Sequence, residues 1–178
     1  MVVYFGGLKQ AKEMYYRGRK IKEAWYGGER VFSGKPVEVM PAVSGSDDAR
    51  NWLRAKLTEY GEDYRTVEEI PFEIDTGEAT TMRRMFRECS KLTTVPPMDT
   101  SNVTNMYEMF YKCSKLTTVP DMHTSQVTDM FGMFNNCRSL TDGNVRLIGK
   151  HTRVATTRMI QGSGLTREPF YDSSGRPI

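Results

Sequence analysis

Three cysteines and two histidines are the side chains best suited to chemistry, and their spacing decides what chemistry is open to them. Cys89, Cys113 and Cys137 stand 24 residues apart. A zinc site takes ligands of mixed type at close spacing, which a strict long interval does not offer. Free cysteine packs as a small hydrophobe and is among the most buried residue types. The three are read as one column of a core, and an odd count argues against a closed disulfide framework. His123 replaces Asp99 of the previous interval and reads as a surface position. His151 sits beside Lys150 and Arg153. Arg146, Lys150, Arg153 and Arg158 form a modest basic cluster, read either as a solvated face or as the seat of an anionic partner. No Asp or Glu pair has a spacing that suggests acid–base work. No His-Glu-x-x-His, Gly-x-Ser-x-Gly, Walker loop or dinucleotide fingerprint occurs. No catalytic residue, metal or cofactor is expected, and the chain is not read as an enzyme.

The cysteine interval belongs to a longer repeat. Residues 85–96, MFRECSKLTTVP, return at 109–120 as MFYKCSKLTTVP, and MFNNCRSL follows at 133–140. Positions 67, 92, 116, 140 and 165 continue the phase outward, spaced by 24 or 25 residues. Such a period lies within the range of leucine-rich repeats. Val103, Met106, Met109, Phe110 and Cys113 fall on a helical stripe, and Leu116 to Val119 reads as a short strand closed by Pro120. The expected fold is an α/β solenoid: a short leucine-rich-repeat array of 24–25-residue coils, preceded by a small antiparallel β-meander and a capping helix. Its core ladder is Met85, Cys89, Leu92, Met109, Phe110, Cys113, Leu116, Met133, Phe134, Cys137 and Leu140. Two methionine columns, Met82, Met106, Met130 and Met85, Met109, Met133, account for half of the 12 methionines. A Met-rich binding face is the minority alternative.

The string Asp-Thr-Ser-Asn-Val-Thr-Asn-Met…Met-Phe-x-x-Cys-x-x-Leu, carried by 99–116 and, with His123 and Gln126 substituted, by 123–140, closely resembles the BspA-like surface-antigen type of leucine-rich repeat. The resemblance covers about 67–169. It implies a solenoid and a role in surface contact rather than a reaction.

A second, shorter repeat fills the N-terminus. Lys12 to Gly18 is echoed by Lys22 to Gly28, and Tyr4 to Gly7 is a truncated copy. Aromatics followed by glycine suit short strands and tight turns, so strands are expected near 2–5, 11–16, 20–26 and 30–33. A meander this small is marginal alone. Tyr4, Phe5, Tyr15, Tyr16, Trp25 and Tyr26 are read as an assembly or docking surface, against the plainer reading of ordinary cross-strand pairs. The repeat is similar to short β-repeats of tailed-phage and prophage virion proteins, often tail components.

Composition bounds the remainder. A net charge of +3 does not call for nucleic acid. The apolar runs are far shorter than the roughly 20 residues of a membrane span, and the N-terminus lacks the basic and apolar regions of a signal peptide. Residues 1–33 are expected as a docking segment, 34–45 as a linker with two prolines, 46–62 as the capping helix and 63–178 as the repeat array with a divergent C-terminal cap. Ser46 is the expected helix cap, Gly61 the stop, and Trp52 an anchor onto the array.

The functional expectation is a phage virion structural protein, a minor tail component. It would dock through the N-terminal β-segment and present the repeats to a host-surface or virion protein, in several copies around the particle's symmetry axis. The alternative is a bacterial cell-surface adhesin of the repeat family.

Overall fold

The computed structural model describes residues 14–16, 19–21, 24–26, 29–32, 35–43, 45, 47–149 and 154–178, with backbone alone before residue 35. The expected strand at 2–5, with Tyr4 and Phe5, lies outside the described residues, as do Ser46, Lys150, His151 and Arg153.

Short strands open the chain: β1 (Met14–Tyr16), β2 (Arg19–Ile21), β3 (Ala24–Tyr26) and β4 (Glu29–Phe32). They form two antiparallel hairpins, β1 with β2 and β3 with β4, not the single meander expected. β2 pairs instead with β5 (Val37–Val39), inside the stretch expected as a linker. Pro36 and Pro41 bracket this strand and do not interrupt it. Its central Glu38 is buried, accepting a hydrogen bond from Tyr60 Oη at 2.7 Å and an ion pair from Lys56 at 3.2 Å. Met40, just past its end, is fully buried.

One helix follows, α1 (Asp48–Glu59), shorter than the expected 46–62. Asp47 occupies its N-cap without a side-chain cap bond. Ala49, Leu53 and Leu57 form its buried stripe, and Trp52 meets Phe72 edge-on at 6.3 Å. Gly61, at φ +79°, ends it. The Gly61 N–H donates to the Thr58 carbonyl and the Glu62 N–H to Leu57. That paired reversal needs a left-handed residue, and glycine adopts it without steric cost. The strand β6 (Glu73–Asp75) then runs parallel to β5.

Beyond β6 the expected α/β solenoid of leucine-rich repeats is corrected by the structure. The only helix among the described residues is α1, which precedes the repeats. The segments expected as repeat helices, such as 103–113, are runs of turns, and Leu116 to Val119 is not a strand. The remaining strands hold two residues each: β7 (Met122–His123), β8 (Leu147–Ile148) and β9 (Phe170–Tyr171), paired in parallel in that order.

The hydrogen bonds explain the absence of helix. In an α-helix the Phe86 N–H would donate to the carbonyl four residues back. Here it donates to Met109, in the next repeat, at 2.9 Å. The N–H groups of Met82, Arg84 and Glu88 do likewise, to Asn105, Tyr107 and Tyr111. Intervening residues close turns within the repeat: Met85 to Met82, Arg87 to Arg84, Cys89 to Phe86. The same pattern recurs from Met106, Glu108, Phe110 and Lys112, and from Met130, Gly132, Phe134 and Asn136. The third residue of alternate turns is left-handed, as in type II turns: Arg84, Glu88, Glu108, Lys112, Gly132, Asn136, Arg158 and Gly162.

Each turn row faces inward with the residues whose spacing suggested a helix. Met85, Cys89, Leu92, Met109, Phe110, Cys113, Leu116, Met133, Phe134, Cys137 and Leu140 all have zero exposure. The rings of Phe86, Phe110 and Phe134 stack with centroids 5.3 and 5.6 Å apart and planes within 5°. The repeated threonines tie successive rows: buried Thr76 donates to the Asp99 carbonyl at 2.7 Å and buried Thr100 to His123 at 2.9 Å.

Candidate functional site

The inward columns are spent on the core, which leaves the other columns as the candidate surface. The nearly unexposed cysteines are unpaired with one another. The Cys113 thiol donates to the Phe86 carbonyl and the Cys137 thiol to Phe110, each at 2.9 Å. Burial pushes the Cys89 and Cys137 thiols up to about 12, and the Cys113 thiol well above its usual range. A thiol held protonated is neither nucleophile nor metal ligand. No cluster of three or more His, Cys, Asp or Glu residues among the described ones is placed to hold a metal.

Tyr64 heads the cysteine column, a feature sequence reading missed. It stands 25 residues before Cys89, one interval back, and that spacing was the available signal. Its hydroxyl lies 2.9 Å from the carbonyls of Met85 and Arg87. Burial, with Cys89 alongside, raises its pKa far above the normal phenol range.

Outward, a second column runs Arg83, Tyr107, Phe131. The Arg83 guanidinium sits 4.0 Å over the Tyr107 ring, and Tyr107 stacks on Phe131 at 5.2 Å. Beside it lies a mesh of charge. Glu108, largely buried, accepts from Arg84 Nε at 3.1 Å and from Arg87 Nη1 at 2.7 Å. Arg84 also reaches Asp47 at 3.3 Å, and Glu88 pairs with Arg87 and Arg50. This network fastens the first two repeats to the start of α1.

Of the expected docking aromatics, Tyr15 and Tyr16 lie on β1 and Trp25 and Tyr26 on β3, opposite Lys20, Arg19, Arg30 and Glu29 in register. His123 is exposed at the end of β7. Within the expected basic cluster, Arg146 pairs with Asp121 at 3.1 Å and lies over the Tyr171 ring, while Arg158 is exposed on the last turn row. No helix among the described residues is long and apolar enough to cross a membrane.

The turn rows and their flanks coincide with a known family. Residues 56–164 match the family DUF285, described as a Mycoplasma protein of unknown function. The chain belongs to this family. The match takes in the last four residues of α1, β6 and all the turn rows; β1 to β5 lie before it and β9 after it. No curated protein matches the chain, and no solved structure does.

Proposed function

We propose that the chain is a structural contact protein of a phage particle, a minor tail component that docks through its N-terminal strands and presents the outward columns of its repeats to a partner. The observation that carries this reading is a contrast between columns. Position by position, the inward residues repeat: Met85, Met109, Met133; Phe86, Phe110, Phe134; Cys89, Cys113, Cys137. The residues that reach the surface vary in charge and shape: Arg83, Tyr107, Phe131; Glu88, Lys112, Asn136. A constant interior with a varied exterior suits a scaffold for recognition, since repeat proteins use extended surfaces to bind. The N-terminal repeat, similar to β-repeats of tailed-phage proteins, supplies the particle-facing end. Other virion proteins and a host-surface component are the partners this reading implies.

The second reading is a bacterial surface adhesin. It is favoured by membership of a family described from Mycoplasma and by the likeness of residues 99–140 to BspA-like surface-antigen repeats. One experiment separates the two. Particles purified from a producing culture are blotted for the full chain and for a variant lacking residues 1–33. The tail reading expects the full chain in the particles and the truncated chain outside them. Protein absent from particles but removed from intact cells by external protease supports the adhesin instead.

A further inference from the structure

The turn rows have a polarity. In every row the alternate N–H groups point toward the following repeat, and the carbonyls that receive them point back toward the preceding one. Peptide dipoles aligned in this way add, as they do along a helix. Each stack of rows therefore has an acceptor end and a donor end. At the acceptor end the Tyr64 hydroxyl covers the Met85 and Arg87 carbonyls. The acceptor end is thus closed to head-to-tail stacking of a second copy of this chain.

The donor end is different. Asp129 aligns with Ala155, so Thr156, Arg158, Ile160 and Gly162 occupy the places of Met130, Gly132, Phe134 and Asn136. Those four earlier N–H groups donate to Ala155, Thr157, Met159 and Gln161. Among the described residues the N–H groups of Thr156, Arg158, Ile160 and Gly162 make no backbone hydrogen bond. Arg158 and Gly162 are left-handed, at φ +58° and +70°. The C-terminal segment caps the other half of the last repeat, where Ile178 donates to Phe170 and Pro177 lies opposite Tyr171. In the turn half Arg158 and Gly162 are exposed, and Thr156 and Ile160 are half-buried among the described residues.

The local charge agrees. Residues 154–167 hold Arg158 and Arg167 and no Asp or Glu, with Asp142 lying against Arg167. Ala155 stands where Asn105 and Asp129 supply side-chain acceptors to the N–H two residues on. The last row has thus lost the acidic residue that its predecessor carries.

We propose that residues 156–162 form a docking edge for an acidic peptide segment of a partner protein, one that presents carboxylates at alternate positions. A partner strand could not complement a donor-only row with its main chain, because a strand residue offers both N–H and C=O on the same side. Carboxylates accept only, and alternate side chains of an extended segment share a face. They therefore match donors placed at every second residue. The proposal holds whichever particle or cell carries the protein.

The test uses the full chain, ¹⁵N-labelled, with three probes: a synthetic peptide alternating Asp and Thr, its Asn and Thr counterpart, and a short heparin fragment. The Asp peptide should give saturable amide shifts centred on Thr156, Arg158, Ile160 and Gly162, and the Asn peptide should not. Arg158→Glu, and separately Arg167→Glu, should weaken binding by about tenfold, with the remaining spectrum unchanged. Three results would overturn the proposal: no saturable shift at these four amides, undiminished binding by both variants, or a response to heparin without one to the Asp peptide. The last would assign the edge to a polyanion.

Discussion

The Cys113 thiol donates to the Phe86 carbonyl of the preceding repeat at 2.9 Å. The same oxygen accepts the Cys89 N–H at 3.1 Å. One small buried side chain thus completes the hydrogen bonding of the row before it while filling its own row's core.

These thiols should resist labelling. In the native protein Cys89, Cys113 and Cys137 should react slowly with a thiol reagent at neutral pH and rapidly once denaturant is added, because burial favours the protonated form. Fast stoichiometric labelling of the native chain would contradict the buried column.

Alkaline pH should destabilise the fold. The three cysteines and Tyr64 all have native pKa values raised above their ordinary ones. Their unfolded forms lose protons first, so the unfolded state binds fewer protons and stability falls as pH rises. The contribution is fully present below the usual thiol value of 9.0 and is lost progressively toward about 12. Urea midpoints measured at pH 7.5 and at higher pH check this. A midpoint that holds steady through pH 10.5 would count against it.

Phe110→Ala should cost roughly 3–5 kcal/mol, the usual range for deleting a buried Phe. Its ring is stacked on both sides, by Phe86 and Phe134. Thr118→Ala, at an exposed residue whose hydroxyl donates to Asn144 at 3.3 Å, should cost about 0.5 kcal/mol or less. Equal losses in chemical denaturation would mean that the inward and outward columns are wrongly assigned.

Lys112 is exposed and left-handed, at φ +60°. In the next two repeats its place is taken by Asn136 and Gly162, residue types that tolerate this conformation. Lys112→Gly should be neutral or stabilising by about 0.5 kcal/mol, strain relief exceeding the entropic cost of glycine. Lys112→Val should be destabilising by about 1 kcal/mol or more, since a β-branched residue is a steric outlier there. Thermal melts should place the valine variant below the parent chain and the glycine variant at or above it. A more stable valine variant would refute the left-handed assignment.

Much of the core was legible in the sequence, and the local conformation was not. The recurrence of Met-Phe-x-x-Cys placed Cys89, Cys113 and Cys137 in one column from the sequence alone. The apolar spacing of 106, 109, 110 and 113 suits a helix, but a chain of turns buries the same four positions. What separates the two is where the Phe110 N–H donates, a non-local choice that leaves little trace in composition. Gly132 and Gly162 were the visible signs of left-handed backbone; Arg84, Glu88, Glu108 and Lys112 hid it at equivalent places. Pro36 and Pro41 suggested a linker because proline punctuates chains, yet the Val37–Val39 strand fits between them. Of the candidate surface, the basic residues near Arg158 were noticed as charges. The unpaired donor row beside them depends on backbone direction, which the sequence does not display.

The central structural claim is that successive repeats are joined by backbone hydrogen bonds between turn rows and not by helices packed side by side. The most direct measurement is the through-hydrogen-bond scalar coupling of the Phe110 amide in a long-range carbonyl correlation spectrum. The account predicts a cross-peak from Phe110 N to the Met133 carbonyl carbon, across the 2.9 Å bond to the next repeat. A cross-peak to the Met106 carbonyl, four residues back, would restore the helix and contradict it.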